Sequence, residues 1–143
     1  MPGTSQLWTY LIVPSTSLPF SGERLLELGS WLTGMAALLI LAFVVRRFSG
    51  SSLLQRPAIV FALVALPLLV NPFFARHLTT GMDTMLSFLT NTLLAWAVLR
   101  NLRRPSEWSA TLVGVLSVLT VFARPDNIIV ALGVPTAAWL LAG

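Results

Sequence analysis

The sequence predicts an all-α integral membrane protein with about five transmembrane helices, and composition supports this in three ways. Of the 143 residues, 56% are hydrophobic and only 10% are charged, whereas a soluble domain usually carries about 25% charged residues. The mean hydropathy is +0.84. The charges lie between long apolar runs rather than in one patch, so the net charge of +4 does not indicate a nucleic-acid partner.

Five apolar runs have lengths near the roughly 20 helical residues that cross a membrane. The first ends at the pair Arg46-Arg47, and the second opens at Pro57, which suits a first helical turn. The predicted spans are residues 25–45, 57–74, 84–99, 108–123 and 127–142, all in one domain, 1–143. A further run at residues 7–13 predicts a partial or re-entrant helix near the N-terminus.

The arginines predict the orientation of these spans. Six lie in the loops after the first and third spans: Arg46, Arg47, Arg56, Arg100, Arg103 and Arg104. The opposite side carries three arginines and four carboxylates, for a net charge of −1: Arg24, Arg76, Arg124, Glu23, Glu27, Asp83 and Asp126. Because basic loops stay in the cytoplasm, the loop at 71–83 and the turn FARPDN at 122–127 are predicted to face outside.

These two outward loops bring five polar residues to one membrane face. The planar guanidinium group donates parallel hydrogen bonds to a phosphate and keeps its charge. We therefore predict that Arg124, Arg76 and His77 hold the phosphate of a lipid-linked substrate. Asp83 and Asp126 are predicted to support them by binding a divalent cation, by acting as bases, or by holding the arginines. No dedicated metal motif or enzyme motif of known mechanism occurs, and the absence of cysteine excludes thiolate sites.

Each of these residues also has a purely structural interpretation. Pro125 would break the helix, Asp126 would cap the next helix, and Arg124 would meet the carbonyl end of the previous one. Asp83 would then serve only the helix dipole at the start of the third span. A lone histidine in an interfacial loop, such as His77, is more often a polar contact than a ligand. The residues alone leave both interpretations open.

Three motifs occur in order along the chain: GTSQLWTYL at 3–11, TTGMDT at 79–84 and FARPDN at 122–127. Together they resemble the pattern of GT-C-type membrane glycosyltransferases, and more narrowly the actinobacterial arabinofuranosyltransferase-like group. In that group a TSPLWT stretch starts the second transmembrane helix, a Ser/Thr-Gly-Met/Leu-Glu-Thr stretch opens a later one, and an Arg-Pro-Asp-Gly turn follows the next. Here Asp83 replaces the glutamate, and Asn127 replaces the last glycine, a mild change because asparagine also tolerates left-handed conformations.

The resemblance implies a polyprenyl-phosphate-linked sugar as donor and a cell-envelope glycan as acceptor, at the outer face of a bacterial plasma membrane. It implies an inverting transfer in which arginines neutralise the leaving phosphate. Arg124 and Asp126 match the Arg-Pro-Asp turn, and Gly81 and Asp83 match the Gly-x-acid stretch; Arg76 and His77 match no motif.

The family places its catalytic carboxylate in the first outward loop, before the TSQLW stretch. We therefore expect this chain to be an internal portion of such an enzyme, without transferase activity on its own and without an assignable catalytic residue. Two alternatives remain. One is a small multi-span membrane scaffold or partner subunit whose outward cluster makes structural contacts or binds lipid headgroups. The other is a transporter-like half protein that oligomerises.

Overall fold

A computed structural model describes residues 22–50, 55–72, 74, 76 and 83–142. This part of the chain is helical and contains no strand, which confirms the all-α prediction. The five helices are α1 (Gly22–Phe48), α2 (Pro57–Val70), α3 (Asp83–Arg103), α4 (Glu107–Ala123) and α5 (Ile128–Ala142), with a 3₁₀ turn at Pro125–Asn127 between the last two. The partial helix predicted at residues 7–13 lies outside the described residues.

The helix ends differ from the predicted spans in ways that follow from local chemistry. α1 and α3 continue past their apolar runs into charged residues, because charges at a helix end cost little and arginines favour the last turn. The second helix ends at Val70, earlier than predicted. Asn71 precedes a proline and takes an extended conformation, with φ −72° and ψ 116°, as steric contact with the proline ring favours.

Among the described helices, one is both long and apolar enough to cross a membrane. It covers Glu27–Phe48 within α1, with a mean hydropathy of 2.2 over its most apolar window. Two others are apolar but shorter, Pro57–Leu66 and Glu107–Ala123. The structure thus confirms five helical segments and supports one membrane span by length and composition.

α3 is the central helix of the bundle. It packs along α1 on one side and along α4 on the other, while α2 lies against α1 and α5 contacts both α3 and α4. One buried cluster, Leu38, Phe74 and Met85, joins α1 to the start of α3. A second, Leu94, Ala97, Val98 and Leu116, joins the middle of α3 to α4. These contacts hold the start and the middle of α3 in fixed positions relative to its neighbours.

A tight connection makes α3 and α4 an antiparallel hairpin. The Ser106 hydroxyl accepts the Ser109 backbone N–H at 3.1 Å, and the Ser109 hydroxyl accepts the Ser106 N–H at 3.0 Å. This reciprocal capping satisfies two amides at the start of α4. The Ser109 hydroxyl also donates to Asn101 in the last turns of α3. Because the hairpin is antiparallel, the first residues of α3 and the last residues of α4 lie at the same end of the bundle.

Candidate functional site

The ARPDN turn, residues 123–127, connects α4 to α5 at that end of the bundle. α4 ends at Ala123, and Arg124 is extended, with φ −154° and ψ 126°, as expected for a residue that precedes proline. The Arg124 backbone N–H still donates to the Thr120 carbonyl, at 3.2 Å. Pro125 then opens the 3₁₀ turn, where it needs no N–H partner. The helix break that the sequence predicts at Pro125 is confirmed.

Arg124 and Asp126 form an ion pair in which one edge of the guanidinium group faces the carboxylate. Nη2 of Arg124 lies 2.9 Å from Oδ2 of Asp126, and Nε donates to Oδ1 at 3.2 Å. Both side chains reach the surface, with exposed fractions of 41% and 67%. A guanidinium group has five N–H donors, so this side-on geometry leaves three of them for another acceptor. The carboxylate fixes the plane in which those donors point.

Asn127 ties the turn to two helices at once. Its side-chain amide donates to the Ser87 hydroxyl at 2.6 Å and to the Thr120 carbonyl at 3.3 Å. Ser87 is buried in α3, 40 residues away along the chain. The structural interpretation has Arg124 meet the carbonyl end of α4. Its backbone N–H does so at Thr120, whereas its side chain pairs with Asp126 and the Asn127 side chain makes a further contact with the Thr120 carbonyl.

The role of Asn127 was missed because Asn127 was considered only as a substitute for the glycine of the family motif. The sequence does contain a signal for this contact, namely the short connection between α3 and α4. With only three residues between α3 and α4, an antiparallel hairpin brings the Ser87 region opposite the last turn of α4.

The turn therefore lies close to the first residues of α3. Asp83 begins this helix, and Ser87 follows one turn later, about 6 Å along the helix axis. The side chain of Asp83 lies outside the described part of the structure, as do His77 and Gly81. The Asn127–Ser87 hydrogen bond thus holds the ARPDN turn at the end of the bundle where α3 begins with Asp83.

Arg76 approaches the same end from the segment after α2. Phe74, two residues before it, is buried and meets Phe88 of α3 edge to face, with ring centroids 5.7 Å apart and planes at 85°, a favoured aromatic geometry. This contact brings the chain at Arg76 beside the first turns of α3. The Arg76 side chain itself is exposed.

The described residues contain no group of three or more histidine, cysteine, aspartate or glutamate side chains that could hold a metal ion. Two of the predicted polar residues, His77 and the Asp83 side chain, lie outside that search. The divalent cation suggested by the sequence therefore stays a prediction.

A buried hydroxyl without a partner lies next to the site. Thr120 is fully buried in the last turn of α4, and its Oγ1 has no hydrogen-bond partner in the described structure. Its carbonyl, by contrast, accepts from both Arg124 and Asn127. A buried hydroxyl that lacks a partner costs about 1–3 kcal/mol, so this position favours a bound water or a ligand oxygen.

Of the predicted site residues, Arg124 and Asp126 are paired within the turn, and Asn127 holds that turn to α3. Comparisons of this chain with models of protein families, with curated proteins and with solved structures found no match.

Proposed function

We propose that this chain is part of a membrane glycosyltransferase of the GT-C type, which transfers a sugar from a polyprenyl-phosphate donor to a cell-envelope glycan at the outer face of the membrane. One observation carries the proposal. The carboxylate of Asp126 orients Arg124 side-on and leaves three of its N–H donors for a phosphate. This arginine lies in the turn that Asn127 holds against the start of α3, where the second motif ends.

The exposed apolar surface supports a membrane location for the chain. Only 28% of the most apolar window of α1 is buried against the rest of the structure. α5 is exposed in the same way, with Ile129 at 79% and Trp139 at 75%. In water, an apolar surface of this extent would drive aggregation. In a bilayer, the same side chains would face lipid while each helix satisfies its own backbone hydrogen bonds.

The proposed chemistry is a displacement at the anomeric carbon of the donor sugar. The acceptor hydroxyl forms the new C–O bond and gives its proton to a base. The bond from the sugar to the phosphate oxygen breaks, and the polyprenyl phosphate leaves with the electron pair. Arg124 would stabilise the charge that grows on this phosphate, because its own charge is permanent and its orientation is fixed before the reaction.

Asp126 acts in this proposal through Arg124, since both of its oxygens face the guanidinium group. It is a positioning residue. The base is not assigned to any described carboxylate.

The alternative function is a membrane scaffold without catalysis. It is favoured because the polar residues of the turn contact other parts of the chain. Arg124 pairs with Asp126 within the turn, and Asn127 donates hydrogen bonds to α3 and α4. Such contacts stiffen a connection between helices whether or not a ligand binds. Phosphate binding separates the two functions, because a scaffold whose turn makes structural contacts only does not need the free donors of Arg124 for a phosphate.

The deciding experiment measures binding of a polyprenyl phosphate to the full chain in detergent micelles, by native mass spectrometry. Arg124→Lys should weaken binding about tenfold, because lysine keeps the charge but lacks the planar fork. Arg100→Lys, at the opposite end, is the matched control and should bind like the unaltered chain. The corresponding polyprenol, which lacks the phosphate, should bind weakly to all three.

Two results would contradict the proposal. One is an unaltered chain that binds the alcohol as well as the phosphate. The other is Arg124→Lys with undiminished phosphate binding, which would leave the turn with a structural role only.

A further inference from the structure

A cavity lies at the end of the bundle opposite the ARPDN turn. It has a volume of about 280 Å³ and is lined, among the described residues, by Phe43, Arg46, Arg47 and Gln55. The first three belong to the last turns of α1, and Gln55 lies just before α2. Both arginines and Gln55 are exposed, and 54% of the Phe43 surface is exposed. The cavity therefore combines two cations and an amide with an apolar ring.

The neighbouring arginine, Arg103, already satisfies the end of α1. Its Nη1 and Nη2 donate to the carbonyls of Arg47 and Phe48, each at 3.2 Å. Its guanidinium carbon also lies 4.3 Å from the centroid of the Phe48 ring, a cation–π distance. The last carbonyls of a helix have no partner within the helix, and Arg103 supplies one from α3. The side chains of Arg46 and Arg47 are therefore not needed as caps.

Arg46 and Arg47 also lack an anionic partner within the described structure. The ion pair between Arg124 and Asp126 lies at the other end of the bundle. The six arginines of this basic end face one carboxylate in the sequence, Glu107. Two adjacent guanidinium groups without a counter-charge repel each other, so a bound anion would stabilise the pair.

We infer that this cavity binds the phosphate headgroup of an anionic phospholipid from the leaflet that this end faces. Arginine forks match phosphate oxygens, and the Gln55 amide adds a neutral donor. Phe43 lies beside them on the lipid-facing surface proposed for α1, where an acyl chain would contact it. Basic pockets between membrane helices bind acidic headgroups in this way. The inference rests on the proposed membrane location but not on the proposed sugar transfer.

The general preference of basic loops for the cytoplasm explains why this end carries many arginines. It does not explain why two of them, Arg46 and Arg47, line a cavity. The two explanations predict different behaviour for arginines inside and outside the cavity. Arg104 is the matched control, because it is an exposed arginine at the same end of the bundle and does not line the cavity.

The test reconstitutes the full chain in nanodiscs of phosphatidylglycerol and phosphatidylcholine. The protein is then transferred to a neutral detergent, and retained lipid is counted by native mass spectrometry. We expect Arg46→Gln and Arg47→Gln each to reduce retained phosphatidylglycerol roughly fivefold, and Arg104→Gln to change it less than about twofold. Gln55→Ala keeps the charge and should reduce retention about threefold through one lost hydrogen bond. Circular dichroism confirms that each variant is folded; glutamine is nearly as good a helix former as arginine.

Equal losses for Arg104→Gln and the two cavity variants would overturn the inference, since they would show diffuse attraction to the surface. Full retention in an Arg46→Gln/Arg47→Gln double variant would overturn it as well. Displacement of phosphatidylglycerol by millimolar inorganic phosphate would contradict the lipid source and assign the cavity to the free ion. Polyprenyl-phosphate binding at Arg124 is measured separately, so failure of one proposal is distinguishable from failure of the other.

Discussion

The two ends of the bundle hold their arginines with different partners. At the ARPDN turn, Asp126 takes one edge of Arg124 and leaves the remaining donors in a fixed plane. At the basic end, Arg103 is directed by two backbone carbonyls and an aromatic ring. A carboxylate compensates the charge of the arginine it faces but occupies only some of the arginine's N–H donors. Carbonyls use the donors without cancelling the charge. We therefore expect Arg124 to serve a ligand and Arg103 to serve as a structural tie.

The largest expected difference between the ends is their accessibility across the membrane. The chain contains no cysteine, so single cysteines can be placed at two exposed positions, Pro72→Cys and Arg104→Cys. In intact cells, an impermeant thiol reagent should label the first and leave the second unlabelled, because basic loops stay in the cytoplasm. After permeabilisation both should react. Labelling of Arg104→Cys alone in intact cells would reverse the predicted orientation.

The next largest effect is expected for the hydrogen bond that holds the ARPDN turn to α3. Asn127→Ala should lower the free energy of unfolding by about 2 kcal/mol, because it leaves the buried Ser87 hydroxyl and the Thr120 carbonyl without this donor. Stability would be measured by denaturation in mixed micelles. In a cycle with Ser87→Ala, the two substitutions should couple by about 1 kcal/mol. Strictly additive losses would contradict a direct bond between the two side chains.

The smallest of these effects is expected at the basic end. Arg103→Gln should lower the free energy of unfolding by about 1 kcal/mol. It removes two hydrogen bonds to carbonyls and a cation–π contact, all at an exposed position. Arg104→Gln changes the same charge on the same helix end and should stay within about 0.5 kcal/mol of the unaltered chain. Thermal unfolding in the same detergent compares the two. Equal stability of both variants would remove the structural role assigned to Arg103.

Hydropathy predicted the helices better than their ends. All five described helices overlap a predicted span, because an apolar run of this length has few alternatives to a helix. The ends of α1 and α3 were placed too early because a run of hydropathy stops at the first charges, whereas the helix continues through Arg46 and Arg103. At Val70 the reverse happened: the following Asn-Pro pair ended the helix before the apolar residues did.

The candidate site could be predicted only in part, for a physical reason. The helix break at Pro125 could be predicted from the sequence, because it depends only on the proline itself. The pairing of Arg124 with Asp126 also joins residues two positions apart, and holding the arginines was one of the roles considered for the carboxylate. The bond from Asn127 to Ser87 spans 40 residues and depends on the register of two packed helices, which periodicity in a single sequence does not report.

The contact of Arg103 with the end of α1 also has a consequence for the order of events during synthesis. The carbonyls of Arg47 and Phe48 receive donors that lie 56 and 55 residues later in the chain. At about 5–20 residues per second, the ribosome reaches Arg103 roughly 3 to 11 seconds after it has finished α1. During that interval, water or lipid headgroups must donate hydrogen bonds to those two carbonyls. α3 and α4 are joined by only three residues, so α1 waits longer for its contact with Arg103 than α3 waits for α4.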